Sequence, residues 1–250
     1  MKKTFNETQD LRIALVIGGS GGIGQAIVKK LADNGFAVAV HYSGNKFKAD
    51  TVVNDIVKQG GKAISIGGDV ADEKVMQEVF DIVEERWGGV DAVINTAGIM
   101  ILSSIADMNL ADLDKMYRTN IRGAFVISQQ AARRVRKGGA IINFSTSVTR
   151  TKFLTYGAYV ASKAAVESMT MILARELRGK GITVNTVAPG PTTTPLFLDG
   201  KDEKTIDNLS KAAPLERLGT PGDIADIVIF LVTSGRWING QVIFSNGGLT

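Results

Sequence analysis

Short apolar runs alternate along the chain with longer stretches in which apolar residues recur every three or four positions. Leu11 to Ile17, Ala37 to Tyr42, Ala63 to Ile66, Val90 to Asn95, Ala140 to Ser145, Ile182 to Ala188 and Gln241 to Ser245 read as strands. Runs such as IALVI, DAVIN and AIINF are apolar at successive positions, so both faces of those strands must be covered. This pattern predicts an α/β fold, a doubly wound parallel sheet of about seven strands with helices on both faces.

Helical periodicity marks 72–86, with Val75, Val79, Ile82 and Val83 on one face, acids in the first turn and Gly88-Gly89 beyond the end. Two more helices are expected over 110–136 and 156–178, the second stopped by Gly179 and Gly181. Both carry apolar residues on more than one face: Phe125, Val126 and Ile127 in the first, Ala164, Val166, Met169, Met171 and Ile172 in the second. A helix lying on a sheet needs only one such face, which predicts pairing of copies in a homo-oligomer. Residues 191–214, rich in Thr, Pro and charge, read as an inserted loop or lid within a single domain spanning 1–250.

Composition narrows the chemistry. With 250 residues, 44% hydrophobic and 22% charged, the chain can bury a full core. Zero Cys and one His exclude disulfides, thiolate nucleophiles and Cys/His zinc sites, and no metal is expected. The opening MKKTFNETQD is polar through residues 4 to 10, and no apolar stretch reaches bilayer length, so neither a targeting peptide nor a membrane span is predicted and a cytoplasmic location is expected. Net charge is +4, and the densest basic run is Arg133-Arg134-Val135-Arg136-Lys137. Without interleaved aromatics it reads as a solvated helix end, not a nucleic-acid site, while the mild basic excess suits an anionic small ligand.

The first strand runs directly into Gly18-Gly19-Ser20-Gly21-Gly22-Ile23-Gly24 and then a helical pattern. Glycines there let backbone approach a pyrophosphate whose charge sits at the helix N-terminus, as in dinucleotide-binding (Rossmann) folds. An acid ending the second strand would select NAD, but Tyr42, Ser43, Asn45 and Lys46 stand there and the first acid is Asp50. A 2′-phosphate meets hydroxyls, an amide and a cation, so NADP(H) is the expected cofactor. His41 has no partner nearby in sequence and reads as a strand-end residue.

Tyr159 and Lys163 are four residues apart on a predicted helix and so share a face. A free phenol holds its proton too tightly for proton transfer at neutrality, and a nearby cation favours phenolate. The hydroxyl cluster Ser145-Thr146-Ser147 ends a strand 12 to 14 residues earlier.

With these pieces the chain resembles the short-chain dehydrogenase/reductase family from Leu11 to Gly248, closest to 3-oxoacyl-carrier-protein reductase-like and tetrahydroxynaphthalene reductase-like members. The matching residues include Gly18-x-x-x-Gly22-Ile23-Gly24, Asp69-Val70, Asn95-x-Ala97-Gly98, Asn120, Tyr159-x-x-x-Lys163, Pro189-Gly190 and Asn239-Gly240-Gln241. The resemblance implies that Tyr159 is the proton donor and acceptor, that Lys163 holds the nicotinamide ribose and tunes Tyr159, and that Asn120 positions a relay water. It also implies that Asp69 and Val70 meet adenine, that Asn95, Ala97 and Gly98 line the cofactor strand, and that Pro189, Gly190, Thr192 and Thr194 border the nicotinamide. A tetramer is common in the family.

Four positions depart from the family pattern: Ile17 replaces a Thr, Thr96 an Asn, Asn246 an Asp, and Thr146 a Ser at the common spacing of 13 residues before Tyr159. Thr146 keeps a hydroxyl for the substrate carbonyl, with Ser145 or Ser147 as alternates. The expected activity is reversible reduction of a small-molecule carbonyl. An NAD-linked alcohol or sugar dehydrogenase, a non-catalytic NADP-sensing regulator and, from charge alone, a nucleic-acid binder are the alternatives.

Overall fold

The computed structural model describes residues 11–250, so the first ten residues and the reading of a missing targeting peptide lie outside it. Seven parallel strands form one sheet: β1 Arg12–Ile17, β2 Phe36–Tyr42, β3 Ala63–Gly67, β4 Val90–Asn95, β5 Val135–Phe144, β6 Thr183–Pro189 and β7 Val242–Ser245. Their order is β3-β2-β1-β4-β5-β6-β7. The chain builds outward from β1 in one direction and then returns to lay β4 on its other side. That reversal opens a crevice at the carboxyl ends of β1 and β4, where ligands bind in such sheets.

Alternate strand residues enter different layers, which accounts for the unbroken apolar runs. Ile13, Leu15 and Ile17 face α3 Glu73–Trp87, α5 Gly123–Arg134 and α7 Gly157–Glu176. Ala14 and Val16 face α1 Gly22–Asp33, α2 Lys46–Lys58 and α10 Pro221–Thr233. Helix ends follow local chemistry: Asp72 accepts from the N–H groups of Lys74 and Val75 at the start of α3, and Gly88 ends it at φ +87°. The buried stripe of α3 is Met76, Val79, Phe80 and Val83, with Ile82 outside it and largely exposed. The expected face was turned by one residue because Phe80, fully buried, anchors the helix on the sheet.

The expected helix 110–136 is three pieces: α4 Leu110–Tyr117, a π-helical stretch Arg118–Arg122, and α5, which stops at Arg134. Val135 already pairs with Val90 in the sheet, and Arg136 to Gly139 bulge opposite Asp91 before pairing resumes at Ala140. The basic run is therefore a helix end only in its first two residues, with Arg133 and Lys137 exposed and the other two arginines paired. Arg134 binds Asp81 at 2.5 Å and Glu84 at 2.9 Å on α3, and Arg136 reaches Asp91 at 3.5 Å. The segment 191–214 holds two helices, α8 Pro195–Leu198 and α9 Glu203–Ala212, neither with a buried residue. A further short helix, α6 Val148–Thr151, follows β5.

Candidate active site

One half of the crevice is the glycine turn. Gly18 has φ +74°, and a Cβ there would sit 2.9 Å from the Thr96 hydroxyl, while a Cβ at Gly24 would overlap the Gly18 carbonyl oxygen. The turn is thus pressed against the end of β4, and only glycine permits it. Gly21 precedes α1 without a side-chain cap, so the first N–H groups of that helix stay open to an anion. Thr96 resolves one departure from the family pattern. Ile17 has no hydroxyl to tie turn to strand, but the Thr96 hydroxyl donates to the Ile17 carbonyl at 2.8 Å and makes the tie from the opposite side.

Gly18, Ser20, Gly21, Gly22, Ile23, Gly24, Ser43, Asp69, Val70, Ala97, Gly98 and Thr194 line this cleft together. Tyr42, Asn45 and Lys46 do not. The Tyr42 ring packs over Gly67, Asn45 caps α2 by accepting from Lys48 N–H, and the Lys46 ammonium binds Asp50 at 2.6 Å. The cation that lines the cleft from this segment is Lys48, and Lys115 and Arg118 line it too. Sequence reasoning missed all three. The Lys46/Asp50 spacing of four on a helix was the available signal that Lys46 had a partner of its own. Arg118 donates to Asp69 at 2.6 Å, and Asp69 also accepts from Ala71 N–H; against the opposing effect of partial burial, these hold its carboxyl below the usual range. Asn95 lies behind the cleft, accepting from Ala97 N–H and donating to Asn143.

His41 is a strand residue, as expected, yet it is wholly buried and its Nδ1 accepts from Gly18 N–H at 3.4 Å. Burial pulls its pKa down to about 4, so at neutrality the ring is uncharged and supports the turn.

The other half adjoins at Ile23, Thr96, Gly98 and Thr194. Here Tyr159, Lys163, Thr146, Pro189, Gly190 and Thr192 surround a pocket walled by Met100, Phe153, Leu196, Phe197, Leu209 and Leu249. Among the described residues, Lys163 is the one charged side chain in that wall. Phe153, Tyr156 and Tyr159 form a chain of edge-on rings, centroids 6.0 and 6.4 Å apart, running toward the Tyr159 phenol. Of the three clustered hydroxyls, Ser145 donates to Glu167 at 2.6 Å and Ser147 to the Ala188 carbonyl at 3.3 Å while accepting from Asn246. Thr146 Oγ1 only accepts, from Val148 N–H at 3.3 Å.

Lys163 is buried on the same face of α7 as Tyr159, its Nζ 5.9 Å from the phenol ring centroid and donating to the Phe144 carbonyl at 3.0 Å. Asn120 sits in the π-helical stretch, a distortion that often marks functional positions. Its side chain exchanges two hydrogen bonds with the Ile99 backbone, each 2.9 Å, and donates to Ser162. A Cβ at Gly98 would lie 3.1 Å from Lys163 Nζ and 3.3 Å from Asn120 Oδ1, so these two groups flank one point. The cation was expected to favour phenolate. Instead burial, with a smaller contribution from Tyr156, pushes the Tyr159 phenol well above its ordinary value, and burial pulls Lys163 down to about 8. Desolvation outweighs an amine at that separation.

Comparison with known proteins fits this geometry. A family model described as enoyl-(acyl carrier protein) reductase matches residues 18–250. A short-chain type dehydrogenase/reductase of Picea abies is 42% identical over 95% of this chain and 92% of its own length. An NADPH-dependent aldehyde reductase-like protein, chloroplastic, of Arabidopsis thaliana is 39% identical over 95% of this chain and 93% of its own. The solved structure of a short chain dehydrogenase from Burkholderia cenocepacia in complex with NADP superimposes with a TM-score of 0.89 at 38% identity, covering 98% of this chain and 99% of that one. Likeness of this degree along nearly the whole length places the chain in the short-chain dehydrogenase/reductase family.

Proposed function

We propose that this chain is an NADP(H)-dependent oxidoreductase that reduces an uncharged, largely apolar aldehyde or ketone and, in reverse, oxidises the matching alcohol. The observation that carries the reading is that Tyr159 and Thr146 open into one apolar pocket adjoining the glycine cleft. The cleft fits a dinucleotide: three glycines admit its backbone-close passage, the uncapped N-terminus of α1 meets a pyrophosphate, and Lys48 with Ser43 offers a 2′-phosphate a cation and a hydroxyl. The NADP named with the Burkholderia structure and the NADPH named with the Arabidopsis relative support the same choice.

When bound, the nicotinamide supplies the hydride. Tyr159, kept neutral by burial, gives its proton to the carbonyl oxygen as negative charge develops there, and the Thr146 hydroxyl donates to the same oxygen. In this reading Lys163 returns a proton toward Tyr159 through a water that Asn120 positions beside Gly98. The apolar wall favours apolar substrates, and the ring chain favours aromatic ones.

Consumption of NADPH with matched benzaldehyde, hexanal and pyruvate tests this directly. Benzaldehyde should turn over fastest and pyruvate slowest, with Tyr159→Phe slowed by about 10² to 10⁴ on all three. Turnover of pyruvate above that of both neutral aldehydes, or of NADH as well as NADPH, would overturn the substrate or cofactor assignment. Exposed Phe125, Met171 and Ile172 on α5 and α7 support association into a homotetramer. A monomeric mass by light scattering would remove that part of the reading.

A further inference from the structure

We infer that Glu167 is a positioning residue, one whose carboxyl oxygen holds the loop on both sides of Thr146 and so aims the Thr146 hydroxyl at the substrate oxygen. Helix α7 presents Tyr159, Lys163 and Glu167 at intervals of four, hence on one face, and all three are buried. The face is stapled residue by residue onto the end of β5. Asn143 Nδ2 donates to Thr170 at 3.1 Å, Lys163 donates to the Phe144 carbonyl at 3.0 Å, and Ser145 Oγ donates to Glu167 Oε1 at 2.6 Å. Beyond the strand, Thr149 Oγ1 lies 2.9 Å from the same Oε1 and 2.9 Å from the Thr146 carbonyl oxygen. One atom thus grips the residue before Thr146 and the residue three after it, and the Thr149 hydroxyl shares its single proton between that atom and the Thr146 carbonyl.

A glutamate so deeply buried is uncommon and needs donors to satisfy it. Both donors here are hydroxyls that flank Thr146, Ser145 just after β5 and Thr149 in α6. Behind Thr146, Val148 N–H occupies a lone pair of its oxygen, and no described group takes the hydroxyl proton, which can be offered to a ligand in the pocket that Thr146 lines. Glu167 is not among the residues lining that pocket, so its effect passes through Thr146. The inference therefore rests on the assignment of Thr146 as the hydroxyl that meets the substrate.

Steady-state kinetics with NADPH and benzaldehyde, together with NADPH binding by fluorescence, test it in a double-mutant cycle. Glu167→Gln retains an acceptor oxygen and should keep most of kcat. Glu167→Met keeps the volume without the acceptor, and kcat should fall by roughly tenfold to a hundredfold while the Kd for NADPH moves less than about twofold. In a Thr146→Ala background, Glu167→Met should cost less than about a further twofold, because both changes disable one device. Should Glu167→Met fail to fold, Ser145→Ala with Thr149→Val removes both donors instead and should show the same confinement to kcat and the same lack of additivity. Normal kcat in Glu167→Met beside a crippled Thr146→Ala would overturn the clamp and leave Thr146 standing. Losses that multiply would assign Glu167 a general structural role. Normal kcat in Thr146→Ala would remove the Thr146 assignment and the clamp with it.

Discussion

On the β1–β4 side of the crevice the turn offered to a ligand is backbone, held by Gly18 and Gly24 where a Cβ would run into neighbouring atoms, whereas on the β5–β6 side the surface is made by side chains of α7, residues 145–148 and the 191–214 segment. That turn has little freedom to vary: its shape is its chemistry, and Thr96 and His41 act by bracing it. The second is assembled from separate parts that different residues hold in place. Its wall can change one side chain at a time while Tyr159 and Lys163 stay put. A fold that keeps a fixed cofactor surface beside an adjustable substrate surface suits a family of many substrates.

The sharpest contrast comes from Tyr159→Phe. It keeps the ring and its contacts but deletes the proton, and kcat should fall by about 10² to 10⁴ with NADPH affinity unchanged. Stopped-flow or steady-state assays beside a binding titration separate the two, and a matching loss of NADPH affinity would show that the two surfaces are not independent. On the opposite side, Gly24→Ala should cost about 1–3 kcal/mol, since its Cβ runs into the Gly18 carbonyl, a backbone atom that cannot swing away. Here the loss should appear in NADPH binding, and an Ala variant that binds NADPH normally would mean the turn has room to move.

The brace behind the turn has its own signature. His41 is pulled from the ordinary 6.5 to about 4, so the folded chain resists protonation that the unfolded chain accepts. Stability from this group is fully present above pH 6.5 and is lost as pH falls toward 4, by at most about 2 kcal/mol at pH 5. Urea midpoints at pH 7 and pH 5 should converge in His41→Asn, and equal acid sensitivity in variant and parent would place the effect elsewhere. The smallest expected change distinguishes two lysines. Lys48→Glu should raise the KM for NADPH about tenfold, near 1.4 kcal/mol, and Lys46→Glu far less, because Lys46 is paired with Asp50 on the surface. The opposite ranking would restore Lys46 as the cation that meets the phosphate.

Patterns repeating over a few residues were legible directly. Successive apolar positions forced covered strands, the glycine run after β1 announced a close approach, and a spacing of four put Tyr159 and Lys163 on one helix face. All of these are local consequences of backbone geometry, so the amino-acid order by itself determined them. The end of α5 was hidden because Val135 leaves the helix to pair with Val90, a partner far away in the chain. That Ser145 and Ser147 donate to Glu167 and Ala188 while Thr146 only accepts could not be read from the chain. Likewise the tie between Ile17 and Thr96, the partner of Lys46 and the upward shift of the Tyr159 phenol depend on which groups meet and how much water is excluded between them. Hydrogen-bond partners and desolvation are properties of packed surfaces. Only the tertiary structure brings those surfaces together, which is why it alone decided them.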